Sequence, residues 1–281
     1  VDTAAIRAFS RAVAAWTPGP ELPAELRPQA FGLLRPGGPV PQLAFGPAAA
    51  QRLSAPGALA PYLDHTLLRP DALPSEVRRL GEEARMHGFG GACVHPTHIG
   101  VLVEALGRSA VVPISVVGFP HGAQKGRVKA LEVQLAVSDG ARELDAVAAL
   151  GALRGGDADA ALEDMLAVVE AARPWPVKLI LETGLLDKRA VVLGAGLALV
   201  AGCAAVKTST GFGQQGARLE DVALLRAVVG EALQVKASGG VRSTEVALAM
   251  VEAGASRLGT SASVSLVEAR AGRAPGPGGS P

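Results

Sequence analysis

From about Tyr62 to Arg270 short apolar runs rich in β-branched residues alternate with longer stretches whose apolar positions recur at helical spacing. Runs of about four to eight such residues read as strands, and segments of about ten to sixteen with the helical period read as helices. Strands are expected near 62–65, 91–95, 112–118, 142–148, 176–182, 204–208, 233–238 and 256–260. Helices fit between them. Some begin at Pro74-Ser75-Glu76, Leu219-Glu220-Asp221 and Ser243-Thr244-Glu245, where capping and acidic residues suit a helix N-terminus, and helix ends fall at Gly88, Gly140 and Gly254. Eight βα units in about 210 residues predict an α/β chain folded as a (β/α)8 TIM barrel over 59–272. The competing arrangement is an open doubly wound sheet, which calls for a phosphate-binding Gly-rich turn after its first strand. Leu63-Asp64-His65-Thr66 is followed by no such turn, whereas Gly-rich turns follow the last three strands.

Ahead of the barrel, residues 17–58 hold nine of the 20 prolines together with Gly and Ala, as in Pro18-Gly19-Pro20 and Arg35-Pro36-Gly37-Gly38-Pro39, without a sustained period. Residues 1–58 therefore read as an N-terminal Pro/Ala/Gly-rich extension. It comprises a short amphipathic helix carrying Ile6, Phe9, Val13 and Trp16, followed by an extended or disordered arm. A loose tail is expected over 273–281.

Composition narrows the function classes. Hydrophobic residues at 49% and charged residues at 19% describe a globular chain with a sizeable core. The formal charge of +1, with no long run of either sign, favours neither nucleic acid nor an anionic membrane, so any anion site must be local. No segment approaches the roughly 18 uninterrupted apolar residues of a membrane span. Asp2, Arg7 and Arg11 interrupt the start, so no secretory signal is read there and a cytoplasmic location is expected. Cys93 and Cys203 lie in apolar segments with no second ligand at metal-like spacing, which reads as buried reduced thiols.

Against this background a few charged residues stand out. Strand six, Ala204-Ala205-Val206-Lys207-Thr208-Ser209, is an apolar run interrupted by a lysine near its C-terminal end, where barrel enzymes place reacting groups. A lone lysine there could simply snorkel to solvent. Lys236 occupies the corresponding point of the next strand, however, and two aligned lysines should be neighbours inside the barrel mouth. A desolvated lysine beside another cation has a lowered pKa and can exist as the neutral amine that attacks a carbonyl. Asp145, in Arg142-Glu143-Leu144-Asp145-Ala146-Val147, either neutralises a buried lysine or moves protons with it. Thr210-Gly211-Phe212-Gly213, Ser238-Gly239-Gly240-Val241-Arg242 and Gly259-Thr260-Ser261 follow the last three strands and look like a phosphate cradle. Thr208, Gly211, Ser238, Gly239, Gly240, Gly259 and Ser261 are its candidate contacts.

Six motifs in order carry a family resemblance: Leu63-Asp64-His65-Thr66-Leu67-Leu68, Val116-Val117-Gly118-Phe119-Pro120, Glu143-Leu144-Asp145, Leu181-Glu182-Thr183-Gly184-Leu185-Leu186, Val206-Lys207-Thr208-Ser209-Thr210-Gly211-Phe212 and Lys236-Ala237-Ser238-Gly239-Gly240-Val241-Arg242. From about Tyr62 to Ala269 the chain resembles the deoxyribose-phosphate aldolases, class I aldolases with a (β/α)8 fold. The resemblance implies that Lys207 forms the imine and that Asp145 and Lys236 transfer protons. The reaction it implies is reversible cleavage of 2-deoxyribose 5-phosphate to glyceraldehyde 3-phosphate and acetaldehyde, with no metal or cofactor. It also implies that Asp64 and Thr66 support the lysines and the substrate hydroxyls, and it puts Cys93 near the pocket. His65 and His121 are minor candidates for substrate contact. The family often has Asn where this chain has Ala149, so a hydrogen bond near the acid is expected to be missing. The expected partners are small phosphorylated sugars and aldehydes, with a homodimer by analogy.

Two alternatives remain at this point. A metal-dependent sugar-phosphate isomerase or epimerase on the same fold would need clustered ligands, and His65, His87, His95, His98 and His121 are confined to the first half of the barrel. A non-catalytic phosphosugar-binding barrel would leave Lys207, Lys236 and Asp145 together without a purpose.

Overall fold

In the computed structural model, which describes residues 2–33, 43–55 and 57–268, each run expected as a strand forms one. They are β1 (Leu63–Leu67), β2 (Gly91–Val94), β3 (Val112–Val117), β4 (Glu143–Val147), β5 (Val177–Ile180), β6 (Ala205–Lys207), β7 (Gln234–Ser238) and β8 (Arg257–Thr260). All pair in parallel in chain order, and β8 returns to β1, so the sheet closes into a barrel. The helices outside it are α3 (Pro74–His87), α4 (Ile99–Leu106), α5 (Gly126–Ser138), α6 (Leu150–Gly155), α7 (Ala158–Ala172), α8 (Lys188–Ala201), α9 (Leu219–Val229), α10 (Thr244–Glu252) and α11 (Ser263–Glu268). Before β1 come α1 (Thr3–Ala15) and α2 (Pro47–Arg52).

Strand side chains alternate between two faces. Leu144, Ala146, Leu179, Val206, Val235, Ala237 and Leu258 face outward into the large core beneath the helices. The intervening positions face inward. On β2 and β3 these are Cys93, Ile114 and Val116, which form a small apolar cluster with Leu68. On β1 and β4 to β8 the inward positions carry Asp64, Glu143, Asp145, Lys178, Lys207, Lys236 and Arg257, all buried. A barrel interior is ordinarily packed with Val, Ile and Leu, so this polar half is where the site lies.

In the extension the expected short helix forms as α1, and the described residues after it pack where an extended or disordered arm was expected. Asp2 caps α1 by accepting from the amides of Ala4 (2.9 Å) and Ala5 (3.1 Å), and Ile6, Phe9 and Val13 line its buried face. That face covers α8, whose residues from Ala190 to Ala201 are all buried because the barrel lies on one side and α1 on the other. Phe9 enters a notch at Gly196, where any Cβ would overlap its ring. Short 3-10 turns at Ala24–Leu26 and Pro28–Phe31 bring Leu26 and Leu33 into the same cluster. Near β1, the Gly46 amide donates to the Val251 carbonyl (2.8 Å), and the Arg226 guanidinium lies 3.7 Å from the Phe45 ring centroid. The middle of the arm, 34–42, and the tail expected to be loose lie outside the described residues. No described helix is long and apolar enough to cross a membrane.

Phe9 fills a notch shaped for it, so Phe9→Ala leaves both a cavity and an uncovered α8. The variant is expected to lose about 3 kcal/mol of stability or more in urea unfolding; a loss under ~1 kcal/mol would show that α1 is only loosely docked.

Candidate active site

Strand register assembles the site. Lys207 is level with Lys236 across β6 and β7, Lys236 with Arg257 across β7 and β8, and Asp145 with Lys178 across β4 and β5. The inward positions thus form a ring of charges, and one carboxylate ties it together. Asp145 Oδ2 accepts from Lys207 Nζ (2.8 Å) and from Lys236 Nζ (2.7 Å), while its Oδ1 accepts from Lys178 Nζ (2.9 Å). Lys178 also meets Glu143 (2.6 Å). Lys236 reaches Asp64 Oδ2 (2.5 Å), and the Arg257 guanidinium donates to Asp64 Oδ1 from Nε (2.9 Å) and from its terminal nitrogen (2.6 Å).

Burial and charge then set the two lysines apart. Burial disfavours the charged form of each. For Lys236, Asp145 and Asp64 together overcome burial and raise the ammonium above its ordinary value. For Lys207, burial prevails over the single carboxylate Asp145, Lys236 adds repulsion, and the pKa falls below 10.5. Burial alone would raise Asp145, but Lys178, Lys207 and Lys236 hold it well below the usual carboxylate range. Charge balance points the same way: among the ion pairs of the described residues, Lys178, Lys207, Lys236 and Arg257 face Asp64, Glu143 and Asp145, so loss of the Lys207 proton would match three cations with three anions. The interior holds one neutralisable amine beside one fixed ammonium.

Lys207, Lys236, Asp145 and Asp64 are therefore brought together as expected. Thr66 is only half-buried, and its hydroxyl donates to the Asp64 carbonyl (2.9 Å), a local tie. Thr208, expected as an anion contact, is tied to the next strand. Its hydroxyl is fully buried, accepting from the Ser238 amide (3.1 Å) and donating to the Ser238 carbonyl (3.3 Å), so it staples β6 to β7. Gly259, expected in the same cradle, is tightly surrounded. A Cβ there would overlap Ser238 Oγ and come within 3.0 Å of Lys236 Cε, so this glycine gives Lys236 its room.

The turns after β6 and β7 do approach each other by backbone. Gly211 (φ 88°), Gly239 (φ 84°) and Gly240 (φ 79°) all lie in the left-handed region, and a Cβ on Gly239 would sit 3.4 Å from Gly211 Cα. Ser238 Oγ is buried with no partner among the described residues, and Ser243 caps α10 by accepting from the Val246 amide (3.3 Å). Ser261 is exposed, two residues ahead of α11. Of the minor candidates, His65 faces outward and bonds Glu83 on α3 (2.9 Å), and His121 is exposed. Cys93 lies inside the barrel, where burial, with the Asp145 charge, pushes its thiol up to about 12. Ala149 contributes no side-chain group. Its backbone meets Asp164, which accepts from Lys129 (2.8 Å), and Lys129 also donates to the Val147 carbonyl (2.8 Å). No group of three or more His, Cys, Asp or Glu able to hold a metal occurs among the described residues.

Sequence reasoning missed Lys178, Glu143, Arg257 and Glu182. Lys178 carries the same signal that marked Lys207, a lysine inside an apolar strand, in Val177-Lys178-Leu179-Ile180. Glu143 lies two residues before Asp145, hence on the same face.

A closed (β/α)8 barrel with a lysine and carboxylate interior defines the class as a barrel aldolase. The chain belongs to the DeoC/LacD family of aldolases, whose pattern matches residues 60–272. Deoxyribose-phosphate aldolase of Bdellovibrio bacteriovorus is 43% identical over 210 residues, 75% of this chain and 96% of that protein. The Brevibacillus brevis enzyme of the same name is 48% identical over 206 residues, 73% and 93% of the two chains. Among solved structures, a putative deoxyribose-phosphate aldolase from Coccidioides immitis is 33% identical with a TM-score of 0.78, covering 93% of this chain and 96% of that one. The tetrameric deoxyribose phosphate aldolase of Aeropyrum pernix is 37% identical with a TM-score of 0.72, covering 78% and 93%. Family membership makes the protein a lyase and leaves the isomerase alternative without support.

Removing the shared carboxylate leaves three buried ammonium groups facing one another. Asp145→Ala is expected to lose about 3–5 kcal/mol in urea unfolding at neutral pH. A loss below ~1 kcal/mol would mean that Asp145 does not hold the interior together.

Proposed function

We propose that the protein is a deoxyribose-phosphate aldolase, cleaving 2-deoxyribose 5-phosphate to glyceraldehyde 3-phosphate and acetaldehyde through an imine on Lys207. The observation that carries this reading is one carboxylate oxygen, Asp145 Oδ2, shared by Lys207 and Lys236 in a water-poor interior. Lys207, whose ammonium form burial disfavours, attacks the C1 aldehyde as the free amine; loss of water gives the protonated imine. The C3 hydroxyl gives up its proton, the C2–C3 bond breaks, and its electron pair moves into the imine to form an enamine. A proton then returns to C2, and hydrolysis releases acetaldehyde and regenerates Lys207. Asp145 and Lys236, acting through a water, move these protons. Because Asp145 is held so acidic, its part is to pass a proton between its lysine partners and not to keep one. Gly211, Ser238, Gly239 and Gly240 present backbone and hydroxyl groups to the phosphate.

The same reading gives the protein small sugar phosphates and aldehydes as partners, a cytoplasmic setting and a homodimer. Val128, Leu131 and Leu135, exposed along one face of α5, support self-association. Light scattering should return twice the chain mass; a monomer at micromolar concentration contradicts the dimer.

Borohydride reduction in the presence of acetaldehyde should add one ethyl group, mapped to Lys207, and an adduct elsewhere or none would overturn the assignment. Lys207→Leu should remain folded and lose cleavage by ~10³-fold or more. The sign of the pH effect follows from the lowered pKa. Only the neutral amine attacks, so the trapping rate should rise with pH and level off below the ordinary lysine value of 10.5. Lys236→Leu removes a repelling charge and leaves Asp145 Oδ2 to Lys207, so that midpoint should move upward. An unchanged midpoint would separate the two lysines electrostatically.

A further inference from the structure

The turn that carries Gly211 is gripped by a residue the proposed reaction does not use. Glu182 follows β5 and is the one non-glycine with positive φ (45°) among the described residues. Such a backbone is strained for a side-chain-bearing residue and persists where its surroundings over-determine it. Here they do. On either side of Glu182 the amides of Leu181 and Thr183 donate to the carbonyls of Lys207 and Thr208, both at 2.9 Å, so the chain is pinned to β6 before and after the kink.

The kink turns the buried carboxylate onto the β6 turn. Glu182 Oε2 accepts from the Thr210 amide (3.1 Å) and from the Thr210 hydroxyl, whose oxygen in turn accepts from the Phe212 amide (3.1 Å). Gly213 approaches from beyond: a Cβ there would come within 3.1 Å of Glu182 Oε1, which has no hydrogen-bond partner among the described residues. A carboxylate therefore organises the backbone on both sides of Gly211. Asn or Gly would accept this backbone with less strain, but Asn is one methylene shorter than Glu and Gly has no side chain to make the contact.

We infer that Glu182 is a positioning residue that fixes the Thr210–Gly213 turn so that it recognises the phosphate of the substrate. This rests on the phosphate-sugar reading above. It sets the expected consequence of removing Glu182: affinity for the phosphorylated end should fall while the Lys207 chemistry survives.

Glu182→Gly relieves the backbone strain and deletes the clamp, and Glu182→Gln keeps an oxygen able to accept from the Thr210 amide. In Glu182→Gly, KM for 2-deoxyribose 5-phosphate should rise roughly tenfold or more, as should the inhibition constant of inorganic phosphate. Turnover of unphosphorylated 2-deoxyribose should stay within about threefold, the melting temperature should not fall, and Glu182→Gln should recover most of the KM. Equal losses on both substrates, or an unaltered KM for the phosphorylated one, would overturn the inference. Trapping with acetaldehyde and borohydride separates the two readings. An adduct at Lys207 in Glu182→Gly with unaltered phosphate selectivity sinks the role of Glu182 alone. No adduct in the unsubstituted protein sinks the aldolase reading beneath it.

Discussion

Everything in the interior depends on the Asp145 carboxylate. An ammonium taken out of water is costly unless it is paired and hydrogen-bonded, and three lysines point to the same small volume. Among the described residues, Asp145 is the only group paired with all three. Its neighbours then differ in what else they reach: Lys178 has Glu143, Lys236 has Asp64, and Lys207 has no second carboxylate among the ion pairs of the described residues. That inequality produces a neutralisable amine next to a permanent ammonium. The arrangement needs no unusual backbone at either lysine, only inward positions on adjacent strands.

The surrounding sheet makes room for these long side chains through glycine. Asp64 is level with Gly91 on one side and Gly259 on the other. A Cβ at Gly91 would sit 2.8 Å from Asp64 Oδ1, and one at Gly259 would press on Lys236. Missing side chains on two strands thus provide the volume that Arg257 and Lys236 occupy. Opposite, Cys93, Ile114 and Val116 supply an apolar wall, which keeps the local dielectric low and so strengthens every interaction of Asp145.

The barrel was legible because parallel strands buried on both faces leave continuous apolar runs, and eight of them recur at regular spacing. Lys207, Lys236 and Asp145 were legible for the opposite reason, each breaking such a run. Lys178 broke one equally well, but it stands at the second position of β5, away from the C-terminal strand end where reacting groups are sought. Gly259 read as part of a turn, and its closeness to Ser238 and Lys236 was not legible, since what approaches a glycine depends on the fold. Thr208 likewise gave no sign that its hydroxyl is committed to Ser238. The helix α1 was legible, but the packing of the described residues after it was not, because their proline-rich composition resembles disorder. The extension's order comes from partner surfaces: α1 lies on α8, whose all-round hydrophobicity in Lys188–Ala201 was an available clue, and α2 lies on α10.

The central claim is that one carboxylate splits two neighbouring lysines into an amine and an ammonium. Nitrogen-detected NMR of the lysine Nζ groups across a pH titration measures this directly, with Lys207→Leu and Lys236→Leu to assign the signals. Lys207 should titrate below 10.5 while Lys236 stays protonated beyond that value. Lys236 losing its proton first, or the two titrating together at the ordinary lysine value, would contradict the account.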